Sequence, residues 1–375
     1  MEFDSEFENG KIFRILFSSK LRKFRIISFD NKYVDELIET FSDVNPASFF
    51  MKQYGYSVEN KISIINKFGY FPVGFIFELL KHIKIKYGSL SYVQMSKECL
   101  SYIDDFLRPL KKELDGKIFE ISNISDDSGR NIERKNEGKN EYKFRDYQRI
   151  AIEKLIFKGY GRGIIELPTS SGKSFCLCNF IYNIHKNINP DYTFLILVPN
   201  KQLVSQMYND FIDYGMKSEI ITKFTAGLKK NEKYNPDAKI IIANRQYVFS
   251  NSDKLPKIDA LFCDELHQAI AKATQEFINN LDCRIKVGCT GSIPRQKYNK
   301  WSLIGMMGNI LYSEEVTDLQ KQGFISKLKI TQINIKDMNV QNNRNYLFHL
   351  NPLRKYSPDD MGYSEIKFNE AHDAE

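Results

Sequence analysis

The chain has 375 residues, 42% of them hydrophobic and 27% charged, which is enough apolar mass for two or three cores of ordinary size. No apolar run approaches the ~20 residues of a membrane-spanning helix, and the acidic start Met1-Glu2-Phe3-Asp4 is unlike a secretory signal, so a cytoplasmic protein with no membrane partner is expected. A formal net charge of +7 favours a polyanionic partner, although a mild lysine excess also serves solubility.

In chain order, residues 1–120 read as a small α+β domain. Alternating strands are expected at Phe13 to Phe17, Phe24 to Ser28 and Lys61 to Ile65, and helices at Val34 to Phe41, Val73 to Tyr87 and Met95 to Leu114. Residues 121–141 are polar and charged with little to bury, which predicts a linker or mobile hairpin. From 142 to about 335 the rhythm changes to strand followed by helix. Short branched runs at Gly163 to Leu167, Thr193 to Val198, Lys239 to Ala243, Ala260 to Cys263 and Arg284 to Gly288 alternate with amphipathic stretches such as Lys201 to Tyr214 and Ala269 to Asn280. Such runs suit a parallel sheet covered on both faces, so this region is expected to be an α/β, RecA-like phosphate-loop sheet flanked by helices. Residues 336–375 read as an extended tail.

Ligands of such sheets lie beyond the C-terminal strand ends, and there the sequence concentrates its chemistry. Pro168-Thr169-Ser170-Ser171-Gly172-Lys173-Ser174 follows a buried strand and opens a helix. A polyphosphate needs backbone N–H donors, a mobile cation and a Mg²⁺ ligand, which the Gly172 turn, Lys173 and the Ser174 hydroxyl supply. Leu167 stands where the usual motif has its first Gly, and Ser170 where another Gly is common. After Ala260 to Cys263 come Asp264, Glu265 and His267; Asp264 is assigned to the metal and Glu265 to the attacking water, as phosphoanhydride hydrolysis requires. ATP and Mg²⁺ are therefore the expected cofactors. Six cysteines without a C-x-x-C pair read as buried thiols rather than as a metal site.

Taken together, these loops resemble the first motor lobe of a superfamily 2 helicase or translocase. The resemblance implies that Arg145-Asp146-Tyr147-Gln148 reads adenine, Arg145 and Gln148 being the contacts, since a glutamine amide can both donate and accept. It implies DNA-backbone contact by Asn200, Lys201 and Gln202 and by Asn244, Arg245 and Gln246. It also makes Thr290, Gly291 and Ser292 the segment coupling hydrolysis to lobe movement, with His267 linking that segment to the nucleotide. Within the superfamily the likeness is to the UvsW type of phage recombination helicase, carried by Leu-Pro-Thr-Ser-x-Gly-Lys-Ser, by Gly288-Cys289-Thr290-Gly291-Ser292 and by Phe71-Pro72-Val73-Gly74 before a helix. That likeness implies branched or forked DNA, single-stranded DNA and RNA:DNA hybrids as substrates, a nucleic-acid-binding role for the small domain, and, for a phage gene, the host cytoplasm.

One departure bears on activity. No Q-x-x-G-R-x-x-R pattern follows Ser174, so the arginine finger that the family draws from a second lobe is missing, and turnover by this chain alone is expected to be slow. The tail then reads as leading to an absent second lobe, supplied by a second polypeptide or lost in a shortened product. The alternative is a nonmotor regulatory half that binds nucleotide and DNA; the motor subunit of a restriction enzyme is a third reading. Trp301 and the aromatics Phe49, Phe50, Tyr54, Tyr56, Tyr70 and Phe71 are read as core in preference to base-stacking platforms.

Overall fold

The computed structural model describes residues 7–45, 48–115, 144–228 and 234–326, with the single positions 119, 121, 122 and 124. Nearly all of these fall in one compact unit that ends at Ile325. The tail over 336–375 and most of the expected linker lie outside the described residues. The start of that linker is bound down: Ile121 and Ile124 are buried, and the backbone N–H groups of Ser122 and Ile124 donate to Asn183 and Asn179.

The small domain runs β1 (Phe13–Ser18), β2 (Lys23–Ser28), α1 (Asn31–Thr40), β3 (Ser42–Val44), α2 (Ser48–Gln53), β4 (Lys61–Ser63), β5 (Tyr70–Pro72), α3 (Ile76–Tyr87), β6 (Val93–Met95), α4 (Lys97–Tyr102) and α5 (Lys111–Leu114). Strands β5-β2-β1-β6 form one sheet and β3-β4 another. Alternation along β1 and β2 sends Phe13, Ile15, Phe24 and Ile26 into the core. The single helix expected from Met95 to Leu114 is broken. After α4 the chain makes a π turn over Ile103–Leu107, and Arg108 leaves helical geometry at φ −132, ψ 56. Pro109 explains the break, because its ring disfavours the helical conformation of the residue before it and it has no N–H to donate.

The second region runs α6 (Asp146–Glu153), β7 (Arg162–Glu166), α7 (Lys173–Asn187), β8 (Phe194–Val198), α8 (Lys201–Asp213), β9 (Ile221–Phe224), β10 (Ile240–Asn244), α9 (Arg245–Asn251), β11 (Ala260–Cys263), α10 (Lys272–Asn280), β12 (Ile285–Thr290), α11 (Lys297–Met307), β13 (Ile310–Ser313) and α12 (Val316–Lys321). Its sheet has the order β13-β7-β12-β11-β8-β10-β9, with every pair parallel. Every residue of β8, β10, β11 and β12 is buried, as a sheet with helices on both faces requires. The expected α/β fold is therefore present. Strand order brings the loops after β7, β12 and β11 side by side, followed by those after β8 and β10.

Helix α11 joins the two regions. A Cβ built on Gly74 would lie 2.5 Å from the Ile304 carbonyl oxygen, and one on Gly305 would lie 2.8 Å from Pro72 Cβ, so both glycines are required for this close approach. Trp301 packs edge-on against Phe41 and Phe75. The Tyr298 N–H donates to Asp43 at 3.1 Å, and the Gln296 amide to the Val44 carbonyl at 2.8 Å. Phe71 is buried as expected, but Tyr54 and Tyr56 are 78% and 60% exposed. All six cysteines are buried and free. Among the described residues no helix is long and apolar enough to cross a membrane.

Candidate nucleotide site and strand-end surface

The loop between β7 and α7 turns on two left-handed residues, Ser170 at φ +66 and Gly172 at φ +83. A serine tolerates this conformation at a cost, which accounts for glycine being common at its position. Gly172 caps α7, so the helix starts at Lys173 with its first N–H groups facing the loop. Ser171 is fully buried, and its hydroxyl donates to the Pro168 carbonyl at 2.6 Å. Two residues of α6 hold its own carbonyl: Tyr147 Oη donates at 2.5 Å and Gln148 Nε2 at 2.9 Å. Gln148 Oε1 accepts from the Arg145 N–H at 3.0 Å, while the Arg145 guanidinium lies 4.9 Å from the Phe324 ring centroid. The segment expected to read adenine is thus fastened to the phosphate loop. Tyr147 was not singled out from sequence, although it lies inside the quoted motif.

Across the sheet order, β7 and β12 are paired through Glu166 and Thr290, and Leu167 N–H donates to the Thr290 carbonyl at 2.9 Å. Lys173 Nζ stands 3.4 Å from Glu265 Oε1, and the other carboxylate oxygen is 3.3 Å from His267 Nδ1. His267 Nδ1 also lies 2.9 Å from Thr290 Oγ1, whose own proton goes to the Ser292 carbonyl. Since the carboxylate can only accept and the threonine proton is committed, Nδ1 must carry the hydrogen. A continuous polar relay therefore runs from Lys173 through Glu265 and His267 to Thr290 and Ser292. Gly291 completes the approach: a Cβ there would stand 3.5 Å from Lys173 Nζ.

Glu265 is itself left-handed, at φ +45 and ψ +53, a strained state for a residue with a Cβ. What holds it is Arg245. This side chain is 5% exposed and donates from Nη2 to the Asp264 carbonyl and, at 2.9 Å, to that of Glu265. Arg245 therefore turns inward, whereas sequence reading had it facing a DNA strand. Burial first, and then the neighbouring Glu265 charge, push the Asp264 carboxyl above the usual carboxylate range. Asp264 Oδ1 is buried without a hydrogen-bond partner. An orphaned carboxylate oxygen beside a lysine-bearing phosphate loop is what a divalent cation would satisfy, so these residues fit Mg²⁺ and a polyphosphate.

Of the other residues expected on a DNA track, Asn200 caps α8 by accepting from Leu203 N–H at 3.0 Å, while Lys201, Gln202 and Gln246 are exposed. Asn244 is buried; it caps α9 by accepting from Tyr247 N–H and donates to the Pro199 carbonyl at 3.1 Å. That bond joins the loops after β8 and β10. Sequence reading also missed Glu166, whose carboxylate accepts from Ile293 N–H at 2.8 Å and from the Ser313 hydroxyl at 2.6 Å. A charged residue at the end of an apolar strand was the available signal.

The family described as "Type III restriction enzyme, res subunit" matches residues 141–295. Over 191 residues the chain is 32% identical to the ATP-dependent DNA helicase UvsW of Enterobacteria phage T4, covering 50% of this chain and 37% of that protein. The sequence likeness to the helicase UvsW and the restriction-subunit match overlap on the region that carries the phosphate loop. A crystal structure of the T4 UvsW helicase has the same fold, with a TM-score of 0.57 at 23% identity over 80% of this chain and 99% of that one. An XPB2 helicase/translocase subunit of factor IIH from Arabidopsis thaliana is 26% identical over 203 residues, covering 50% of this chain and 26% of that protein. The chain thus spans well under two thirds of the length of the curated relatives it matches. The overlay covers more of it than the restriction-subunit match does and so takes in part of the small domain.

Proposed function

We propose that this chain is the nucleotide-binding part of an ATP-dependent DNA helicase or translocase acting on branched or forked DNA, with RNA:DNA hybrids as a further substrate. The observation that carries this reading is the relay Lys173–Glu265–His267–Thr290. It connects a phosphate-binding lysine to the segment through which the family passes hydrolysis on to movement. Lys173 and the first N–H groups of α7 hold the phosphates, and Gln148 with Arg145 takes the adenine. Ser174 and Asp264 would hold Mg²⁺, which would supply charge neutralisation to the polyphosphate. Glu265 orients the attacking water and accepts its proton. His267, its Nδ1 hydrogen shared between Glu265 and Thr290, transmits the position of that carboxylate to the loop at Thr290, Gly291 and Ser292. Asn200, Lys201, Gln202 and Gln246 lie beyond the ends of β8 and β10, where a DNA backbone passes.

Turnover on this reading needs arginines from a second lobe, on chain outside this sequence, whether continuous with it or on a partner polypeptide. A second reading is a regulatory part that binds nucleotide and DNA without hydrolysis. DNA-stimulated hydrolysis measured with and without an added second lobe separates the two. Lys173→Ala tests the site itself. Loss of a charge-assisted phosphate contact worth about 1.5–3 kcal/mol should weaken a fluorescent ATP analogue by roughly 10- to 100-fold while DNA binding persists. Unchanged analogue affinity would reject the phosphate-loop assignment.

A further inference from the structure

The seam between the small domain and the lobe holds a cleft of about 530 Å³. Its lining includes Glu78 and Lys81 of α3, Lys297, Lys300 and Trp301 of α11, and Lys158 before β7. Glu78 and Lys81 are one helical turn apart, as are Lys297 and Lys300, so each pair lies on one face of its helix. The four lysines are exposed, and among the described residues none of their ammonium groups has an ion-pair or hydrogen-bond partner. Asp43 lies near Lys297, but its carboxylate is occupied by the backbone N–H groups of Tyr298, Val44 and Lys297. Four cations face one carboxylate across this cleft, a self-repelling arrangement that a polyanion relieves.

The walls are fixed in advance. Gly74 and Gly305 allow the backbones of the two regions to touch, and the Trp301 ring, wedged on Phe41 and Phe75, forms an apolar floor for lysine stems. The cations come from three separate elements, which suits a repeating charge better than a single small anion. We propose that this cleft grips the sugar-phosphate backbone of a second DNA arm, distinct from the strand laid over the loops after β8 and β10. The proposal rests on the DNA reading above and gives the accessory domain its task. A junction is then held at two places, one on the lobe surface and one in the seam.

The test compares wild type with Lys81→Gln/Lys158→Gln/Lys297→Gln/Lys300→Gln, using fluorescence anisotropy with forked DNA and with a short single strand across a series of KCl concentrations. Each phosphate-contacting lysine contributes about one unit to the slope of log affinity against log salt, so the slope on forked DNA should fall by about 3 to 4. The slope on the single strand should stay put. A control with four exposed lysines neutralised elsewhere (Lys186, Lys254, Lys272, Lys321) should keep the wild-type slope on both. An unchanged slope on forked DNA, an equal fall on the single strand, or an equal fall in the control overturns the seam site while leaving the function standing. Failure of the wild type to bind any DNA sinks the function reading itself. Should the fourfold variant not fold, Lys81→Gln/Lys300→Gln carries the same test with a fall of about 2.

Discussion

Alanine at Gly172 should damage the phosphate loop in two separable ways. The residue sits at φ +83, where a side chain costs roughly 1–2 kcal/mol. Its new Cβ would also lie 2.6 Å from Gln148 Nε2. That amide cannot simply swing aside, being 4% exposed and bonded on both ends, to Ser171 and to Arg145. Displacing it leaves a buried donor unpaired, at about 1–3 kcal/mol. Gly172→Ala should therefore cost about 2–5 kcal/mol in all. In a Gln148→Ala background only the backbone cost remains, so urea unfolding of the four proteins of this cycle should yield a coupling of about 1–3 kcal/mol. Additivity of the two substitutions, or a Gly172→Ala cost well under 1 kcal/mol, would refute the fastening of α6 to the loop.

Lys286 is 5% exposed on β12, with its amine donating to the Ile278 carbonyl, and burial lowers its pKa from 10.5 to about 8. The folded chain gives up this proton before the unfolded chain does, so the lysine makes stability rise with pH from about 8 to about 10.5. The full span corresponds to about 3 kcal/mol. Lys286→Met should flatten that part of the urea-midpoint profile, and a variant profile as steep as the wild type's would contradict the argument. Arg245→Met should leave the salt slope of DNA binding unchanged, because its guanidinium serves the Asp264 and Glu265 carbonyls, whereas Lys201→Gln should lower that slope by about 1. A fall of one unit for Arg245→Met would return that side chain to the DNA surface.

The parts legible from sequence were those fixed locally. Gly172-Lys173-Ser174 after a short apolar run specifies a strand, a left-handed turn and a helix start within a few residues, and Asp264-Glu265 is marked by its place at a strand end. What failed depended on distant packing. Helix α11 shows no helical period because its second half, Ser302 through Met307, is wholly buried between the two regions; a stretch covered on every side has no polar face to reveal it. The three-residue strands β3, β5 and β6 are too short to display alternation. Arg245 reads as a surface cation, and only the fold around Glu265 turns it inward. The exposure of Tyr54 and Tyr56 likewise follows from where their segment lies, since aromatic content alone favours burial.

The polar stretch expected as a linker starts and finishes on one helix. Ile124 is held by Asn179 of α7, and Phe144 packs on Phe175 of the same helix with ring centroids 5.6 Å apart. With both ends fixed on one rigid rod, added length leaves their separation unchanged, and closure entropy grows by only about 0.6 kcal/mol for each doubling of length. This is therefore the natural point of entry for a grafted reporter: a fluorophore-bearing insert between 125 and 143 would ride on the helix that begins at Lys173 without reshaping the cradle beneath it.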